Sequence, residues 1–244
     1  MSWLLLRGLT RETRHWDAFP GKLAQHTGEA VLALDLPGNG EFAHMTSPLA
    51  VHEMVEFVRH QARQRGMNLP CKLLAMSLGG MVATDWAQRY PHEVSQLVLI
   101  NTSMRPFCNL TQRLLPVNWL KLAAMATRWH DGAQAEKTIH SLTCKRLDAQ
   151  AADIASWVQI RKSAAVSATS ARSQLWAAAR FCSAFEAPAC PTLVLSSAAD
   201  QLVSPVCSAQ LASAWQAEHQ QHPWAGHDLP HDDELWVCAA VTGR

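Results

Sequence analysis

Several common signals are missing from this chain, and each absence removes a class of function. No apolar segment reaches membrane-spanning length, so no insertion into a bilayer is expected. No long basic run occurs and the net charge is +1, which leaves nothing to attract nucleic acid or an anionic membrane. The seven cysteines are an odd number and contain no C-x-x-C pair, so they read as reduced thiols serving as small apolar residues. No metal cluster or phosphate loop is visible, and Gly38-Asn39-Gly40 lacks the third glycine of a nicotinamide fingerprint. No cofactor is expected. The opening stretch, Met1-Ser2-Trp3-Leu4-Leu5-Leu6-Arg7-Gly8, is too short for a signal peptide and has no basic leader. A cytoplasmic protein is the expectation. Internal repeats and low-complexity linkers are absent too.

What is present suits a folded enzyme-sized unit. The chain has 244 residues, enough for one domain or one domain carrying a large insertion. It is 48% hydrophobic and 17% charged, which supplies a core and excludes a disordered chain. Up to about residue 100, strands and helices alternate. Strands are expected at 3–6, 30–36, 72–76 and 96–100, all apolar without alternation. Helices are expected at 16–27, with Trp16, Phe19 and Leu23 inward, from Ser47-Pro48 to Gly66, and at 78–89. Val51, Met54, Val55 and Val58 make the apolar face of the second, with Ser47 as its cap. Continuous apolar strands between helices indicate a parallel sheet covered on both faces. The alternation stops at 105–187, where helices are expected near 110–127, 132–142, 148–163 and 168–182. It resumes with a strand at 192–196, a helix at 203–215, a short strand at 218–224 and a helix at 231–242. An all-helical block inside an α/β sheet is expected to act as a lid over the sheet's carboxyl edge, where ligands sit in such folds. The expected division is a core at 1–104 and 188–244 with a lid at 105–187.

The most informative stretch is Ala75-Met76-Ser77-Leu78-Gly79-Gly80. An apolar strand ends at a serine and a helix starts at once. Small residues on both sides allow the close approach that such a turn requires, leaving Ser77 exposed at its tip in a strained backbone. This is the G-x-S-x-G nucleophile elbow with alanine in the first glycine place. A serine hydroxyl needs a base to take its proton, and the base needs an orienting acid. Asp200 follows the strand at 192–196, and His227 follows the last candidate strand in Gly226-His227. His219, His222 and His231 are weaker candidates for the base because none follows a glycine at a strand end. Asp228 competes with Asp200, but it adjoins His227 in sequence and cannot readily face its neighbour's ring.

These residues carry a family resemblance. The pieces are Leu4-Leu5-Leu6-Arg7-Gly8-Leu9, Asp35-Leu36-Pro37-Gly38-Asn39-Gly40, the serine elbow, Asp200-Gln201-Leu202-Val203-Ser204-Pro205 and Gly226-His227. In this order they resemble the small, lid-bearing esterases of the α/β-hydrolase fold. The chain is similar to the pimeloyl-ACP methyl ester esterase and meta-cleavage-product hydrolase group. The resemblance implies an α/β-hydrolase fold with about six mostly parallel strands, since the chain begins at the strand preceding the oxyanion loop. It implies a triad of Ser77, Asp200 and His227 and an oxyanion hole from the backbone N–H groups of Leu9 and Leu78. Two places depart from the family: Arg7-Gly8 stands where His-Gly is usual, and Asn39 replaces the histidine of Pro-Gly-His-Gly.

Arg7 has two readings, a brace for the loop or a contact for an acidic substrate. The block at 105–187 contains Trp119, Trp129, Trp157 and Trp176, of which Trp119 and Trp157 are candidates to line an acyl pocket. Its arginines are a solvated face or a dock for an acyl-carrier protein. The expected activity is hydrolysis of a small carboxylic ester or thioester through an acyl-enzyme. The alternative is a lyase resembling the menaquinone-pathway SHCHC synthase, which uses the same serine and histidine to abstract a proton and eliminate pyruvate.

Overall fold

The central strands are apolar on both sides, and both sides are covered. The computed structural model describes residues 1–243. Its six strands are β1 (Ser2–Leu6), β2 (Ala30–Leu34), β3 (Cys71–Met76), β4 (Val94–Ile100), β5 (Thr192–Ser197) and β6 (Glu218–His222). They form one sheet in the order β2-β1-β3-β4-β5-β6, and every pairing is parallel. Successive side chains of a strand point to opposite faces. Leu4 and Leu6 therefore join a core with Leu73, Ala75, Leu97 and Leu99, while Trp3 and Leu5 join another with Leu74, Met76, Val98 and Ile100.

Helices α1 (Phe19–Thr27), α2 (Val51–Gln64) and α3 (Leu78–Arg89) link the first four strands. Between β4 and β5 run α4 (Leu110–Arg113), α5 (Trp119–Thr127), α6 (Gly132–Thr143), α7 (Gln150–Ser163) and α8 (Ala168–Arg180). The chain closes with α9 (Val206–Trp215), α10 (Leu229–Asp232) and α11 (Glu234–Thr242). Val51, Met54, Val55 and Val58 of α2 are buried on the first core, and Phe19 and Leu23 of α1 on the second. Among the described residues, no helix is long and apolar enough to cross a membrane.

Several elements differ from the sequence reading. The strand expected at 30–36 ends at Leu34 and is half-exposed over most of its length, because β2 is an edge strand. Ser47 does not cap α2. The helix starts at Val51, and Ser47 Oγ donates to Pro37 O at 2.5 Å. The single helix expected over 110–127 is broken by Pro116, which has no N–H to give. Trp157 is 1% exposed, whereas Trp119 and Trp176 are 42% and 53% exposed.

The order of strands brings two loop segments together. The chain runs from β1 outward to β2 and then returns to β3 on the other side of β1. Leu6 of β1 pairs beside Ala75 of β3, so the segments leaving these two strands emerge together at the point where the winding reverses. In open α/β sheets this crevice is where ligands bind. The two segments are Arg7-Gly8-Leu9 and Ser77-Leu78-Gly79.

The crowding at this point gives a testable contrast between two glycines. A Cβ on Gly79 would stand 2.5 Å from Arg7 O and 2.6 Å from Leu6 O, whereas one on Gly21 would meet nothing within 4 Å. Gly79→Ala is expected to destabilise the fold by about 1–3 kcal/mol. Gly21→Ala, inside α1, is expected to stabilise it by about 0.5–1 kcal/mol. Urea unfolding of the two variants measures both.

Candidate active site

Ser77 has φ 52° and ψ −120°, a conformation that costs a non-glycine residue about 1–3 kcal/mol. Its surroundings hold it there. Ser77 N donates to Ile100 O at 3.0 Å, and Ser77 O accepts from Thr102 Oγ1 at 2.8 Å and from Met81 N at 3.3 Å. A Cβ on Gly8 would lie 3.0 Å from Ser77 Cβ, and one on Gly80 would lie 2.8 Å from Thr102 Cβ. Three glycines thus let β1, β4 and α3 close around one serine.

His227 lies on the loop after β6 and Asp200 on the loop after β5; both are buried. His227 Nδ1 is 2.7 Å from Asp200 Oδ2. The other oxygen, Asp200 Oδ1, accepts from Leu202 N at 2.8 Å and Val203 N at 3.0 Å, which fixes the carboxylate's orientation. Burial disfavours the charged imidazole, but the Asp200 charge and hydrogen bond outweigh it, and the His227 pKa is raised above its ordinary value. Ser77 Oγ makes no hydrogen bond among the described residues. The structure therefore joins His227 and Asp200 directly and brings Ser77 to the same sheet edge. Asn101 ties these segments together. It follows β4 at φ 45°, donates from Nδ2 to His227 O at 2.8 Å, and accepts at Oδ1 from Ser197 N at 2.9 Å.

Asp228 has a different partner. Arg7 grips it with two parallel hydrogen bonds, Nη1 to Oδ1 at 2.9 Å and Nη2 to Oδ2 at 2.6 Å. Arg7 Nη1 also lies 3.1 Å from Met76 Sδ, and the guanidinium stands 4.7 Å from the Trp16 ring centroid. Both charged residues are buried. Burial pushes the Asp228 carboxyl up, but the Arg7 charge and hydrogen bonds pull it down further, to about 2. The N–H groups of Leu9 and Leu78 have no partner among the described residues. The next N–H, that of Thr10, donates to Gln174 Oε1 of α8 at 2.8 Å.

Sequence reasoning missed Asn101 and Gln174. Gln174 Nε2 also donates to Asn39 Oδ1 at 2.7 Å and Ser47 Oγ at 2.9 Å, so one insertion side chain joins the loops after β1 and β2. Neither residue belongs to a short motif, and each acts only through long-range contacts. Trp157 is packed against His15, His140 and His231, and Trp119 Nε1 donates to Leu114 O on a half-exposed helix.

Comparison with known proteins decides the family. The profile of the serine aminopeptidase, S33 family matches residues 3–234. The chain belongs to this family. The pimeloyl-[acyl-carrier protein] methyl ester esterase of Sodalis glossinidius is a relative of this S33-family chain, 35% identical over 105 residues. That match covers 43% of the chain and 37% of the relative. The bifunctional biotin-biosynthesis protein BioHC of Teredinibacter turnerae is 28% identical over 104 residues, 41% of the chain and 17% of that protein. The matched stretch is thus well under half the length of both curated relatives. Among solved structures, a thermophilic esterase from Thermogutta terrifontis superposes with a TM-score of 0.76 at 21% identity, over 100% of this chain and 88% of that one. The likeness confirms the α/β-hydrolase fold.

The Arg7–Asp228 pair predicts a large stability loss on breaking. Arg7→Ala and Asp228→Ala are each expected to cost about 3–5 kcal/mol, because each strands a buried charge. The double variant is expected to cost less than the sum of the two. Asp228's folded pKa lies below its unfolded one, so its contribution is present above about pH 4 and fades as pH falls toward 2. Denaturant unfolding as a function of pH reads both effects.

Proposed function

We propose that the chain is a serine hydrolase of small carboxylic esters or thioesters, working through an acyl-enzyme. The observation that carries this reading is a strained serine at the strand-to-helix turn beside a buried His227–Asp200 pair on the same sheet edge. Ser77 Oγ attacks the carbonyl, and His227 takes its proton and later gives it to the leaving group. Asp200 holds the proton of His227 on Nδ1, which leaves Nε2 free to act as the base. The unpartnered N–H groups of Leu9 and Leu78 supply the oxyanion hole, with α3's amino end adding its dipole. Water then releases the acyl group.

The segment 105–187 acts as the lid in this reading, supported by the grip of Gln174 on the loops after β1 and β2. Arg7 serves as a brace, since Asp228 and Met76 occupy its two terminal nitrogens. Trp157 positions the lid against the core, and half-exposed Trp119 is the better candidate for substrate contact. An acyl-carrier protein, part of the Sodalis relative's name, is the carrier to set beside free esters. A cytoplasmic location fits the free cysteines.

A panel of p-nitrophenyl esters of increasing acyl length, with an aminoacyl p-nitroanilide as the amide comparison, tests the substrate class. A burst of p-nitrophenol is expected with short esters. Ser77→Ala is expected to lose at least about 10⁴-fold in kcat; unchanged turnover in that variant contradicts the reading. The pH profile is a second check. His227 must be neutral to accept a proton, and its pKa is raised, so the acid limb of kcat/KM is expected to have its midpoint above 6.5. Asp200→Asn removes the two largest causes that raise it and leaves burial, which lowers it. The midpoint of the residual activity is then expected to fall below the wild-type value.

A further inference from the structure

The carboxyl end of α6 is docked on the loop that carries His227. Thr143 O accepts from Asp228 N at 2.8 Å. The Asp232 carboxylate accepts from Lys145 N and Arg146 N, both at 2.9 Å, and from Gly226 N at 2.7 Å. A Cβ on Gly226 would stand 2.5 Å from Thr143 O, so the two segments touch backbone to backbone.

Where they meet, four side chains converge. His140 and Cys144 come from the last turn of α6 and its end, and His231 comes from α10. All three are buried, and an imidazole nitrogen of each histidine and Cys144 Sγ lie within 4.8 Å of one another. Asp153 of α7 adds a carboxylate. Its Oδ2 is 3.0 Å from His231 Nε2 and 3.4 Å from His140 Nε2. Ligands bound tetrahedrally at about 2.0–2.1 Å lie roughly 3.4 Å from one another, so these separations already approach a coordination sphere. Two imidazoles aimed at one carboxylate oxygen, beside a thiol, surround one point with exchangeable protons. A divalent ion at that point takes the place of those protons.

The outer contacts suit an ion as well. His231 Nδ1 is 3.3 Å from Asp17 Oδ2, the carboxylate support that metal-bound histidines usually have. The Gln150 amide stands 3.5 Å from His140 Nδ1, and turned about it offers an acceptor there. Two nitrogens, a sulfur and an oxygen favour zinc and disfavour magnesium or calcium.

We propose that His140, Cys144, Asp153 and His231 form a zinc site that pins the helical insertion to the histidine loop. Four protein ligands leave no open position, so the ion is structural. The site shares no residue with Ser77, Asp200 and His227, and it stands independently of the hydrolase reading. No short motif announces it, since His231 reaches it from the far end of the chain.

The test uses the whole chain with zinc or cobalt alone. After expression with added zinc and dialysis, one zinc per chain is expected by atomic emission. Cobalt loaded after chelation is expected to give the strong visible bands of a tetrahedral ion and a thiolate-to-cobalt charge-transfer band. Cys144→Ser is expected to abolish the charge-transfer band. Asp17→Asn alters a half-exposed side chain and is expected to keep the fold while weakening zinc binding roughly 10- to 100-fold. Near-UV circular dichroism confirms that each variant is folded. If Cys144→Ser does not fold, the Asp17→Asn affinity decides. The proposal is overturned by a folded chain that retains no zinc and gives no tetrahedral cobalt spectrum. It is equally overturned by a charge-transfer band that survives in folded Cys144→Ser, or by Asp17→Asn binding zinc as tightly as the wild type.

Discussion

The constraint on which the rest depends is steric: a strand must become a helix within one residue, between two neighbouring strands. Ser77 absorbs the whole change of direction at φ 52°. Its neighbours give way by having no side chain. Gly79 passes over the carbonyls of Leu6 and Arg7, Gly80 passes against Thr102, and Gly8 passes against Ser77 itself. The strain is local, and the parallel sheet on both sides offsets it. What the turn achieves is a serine held at the sheet edge, while the N–H groups of Leu9 and Leu78 have no partner among the described residues. In the proposed hydrolase these groups are in place before any substrate arrives, which is the condition under which electrostatic stabilisation of a transition state is strongest.

A second layer of contacts keeps the histidine loop in register with this turn. The buried Arg7–Asp228 pair joins the segment after β1 to the residue next to His227. Asn101 joins the end of β4 to the same loop and to β5. From outside, the insertion is held by polar contacts as well as packing. Arg11 bonds Glu136 of α6 at 2.6 Å, Gln174 bonds the loops after β1 and β2, and Asp232 gathers the backbone that follows α6. The insertion is thus attached at the loop after β1 and at the loop that carries His227. Any motion of it would be felt by both loops.

Much of this was legible in the residues. The apolar runs Trp3 to Leu6, Leu73 to Met76 and Leu97 to Ile100 announced strands buried on both faces, and the helix over 78–89 ends where the sequence reading put it. Legibility failed where long-range geometry decides. Ala30 to Leu34 is as apolar as the central strands, yet its place at the edge is set by strand order, which local pattern does not encode. Ser47 beside Pro48 had the chemistry of a helix cap, but a tertiary acceptor, Pro37 O, took its hydroxyl. The candidate site divided in the same way. The elbow was readable because its requirement is local. Arg7 and Asp228 could each be singled out, but their pairing spans nearly the whole chain, so the brace was one alternative among two until the fold was seen.

The central claim is that Ser77, and no other serine, is the nucleophile that His227 activates. The most direct measurement is labelling of the folded chain with a fluorophosphonate, followed by peptide mapping in a mass spectrometer. The account predicts one phosphonylated residue, Ser77, with labelling slowed sharply in His227→Ala. Labelling at a different serine, or labelling of Ser77 at the same rate without His227, would contradict it.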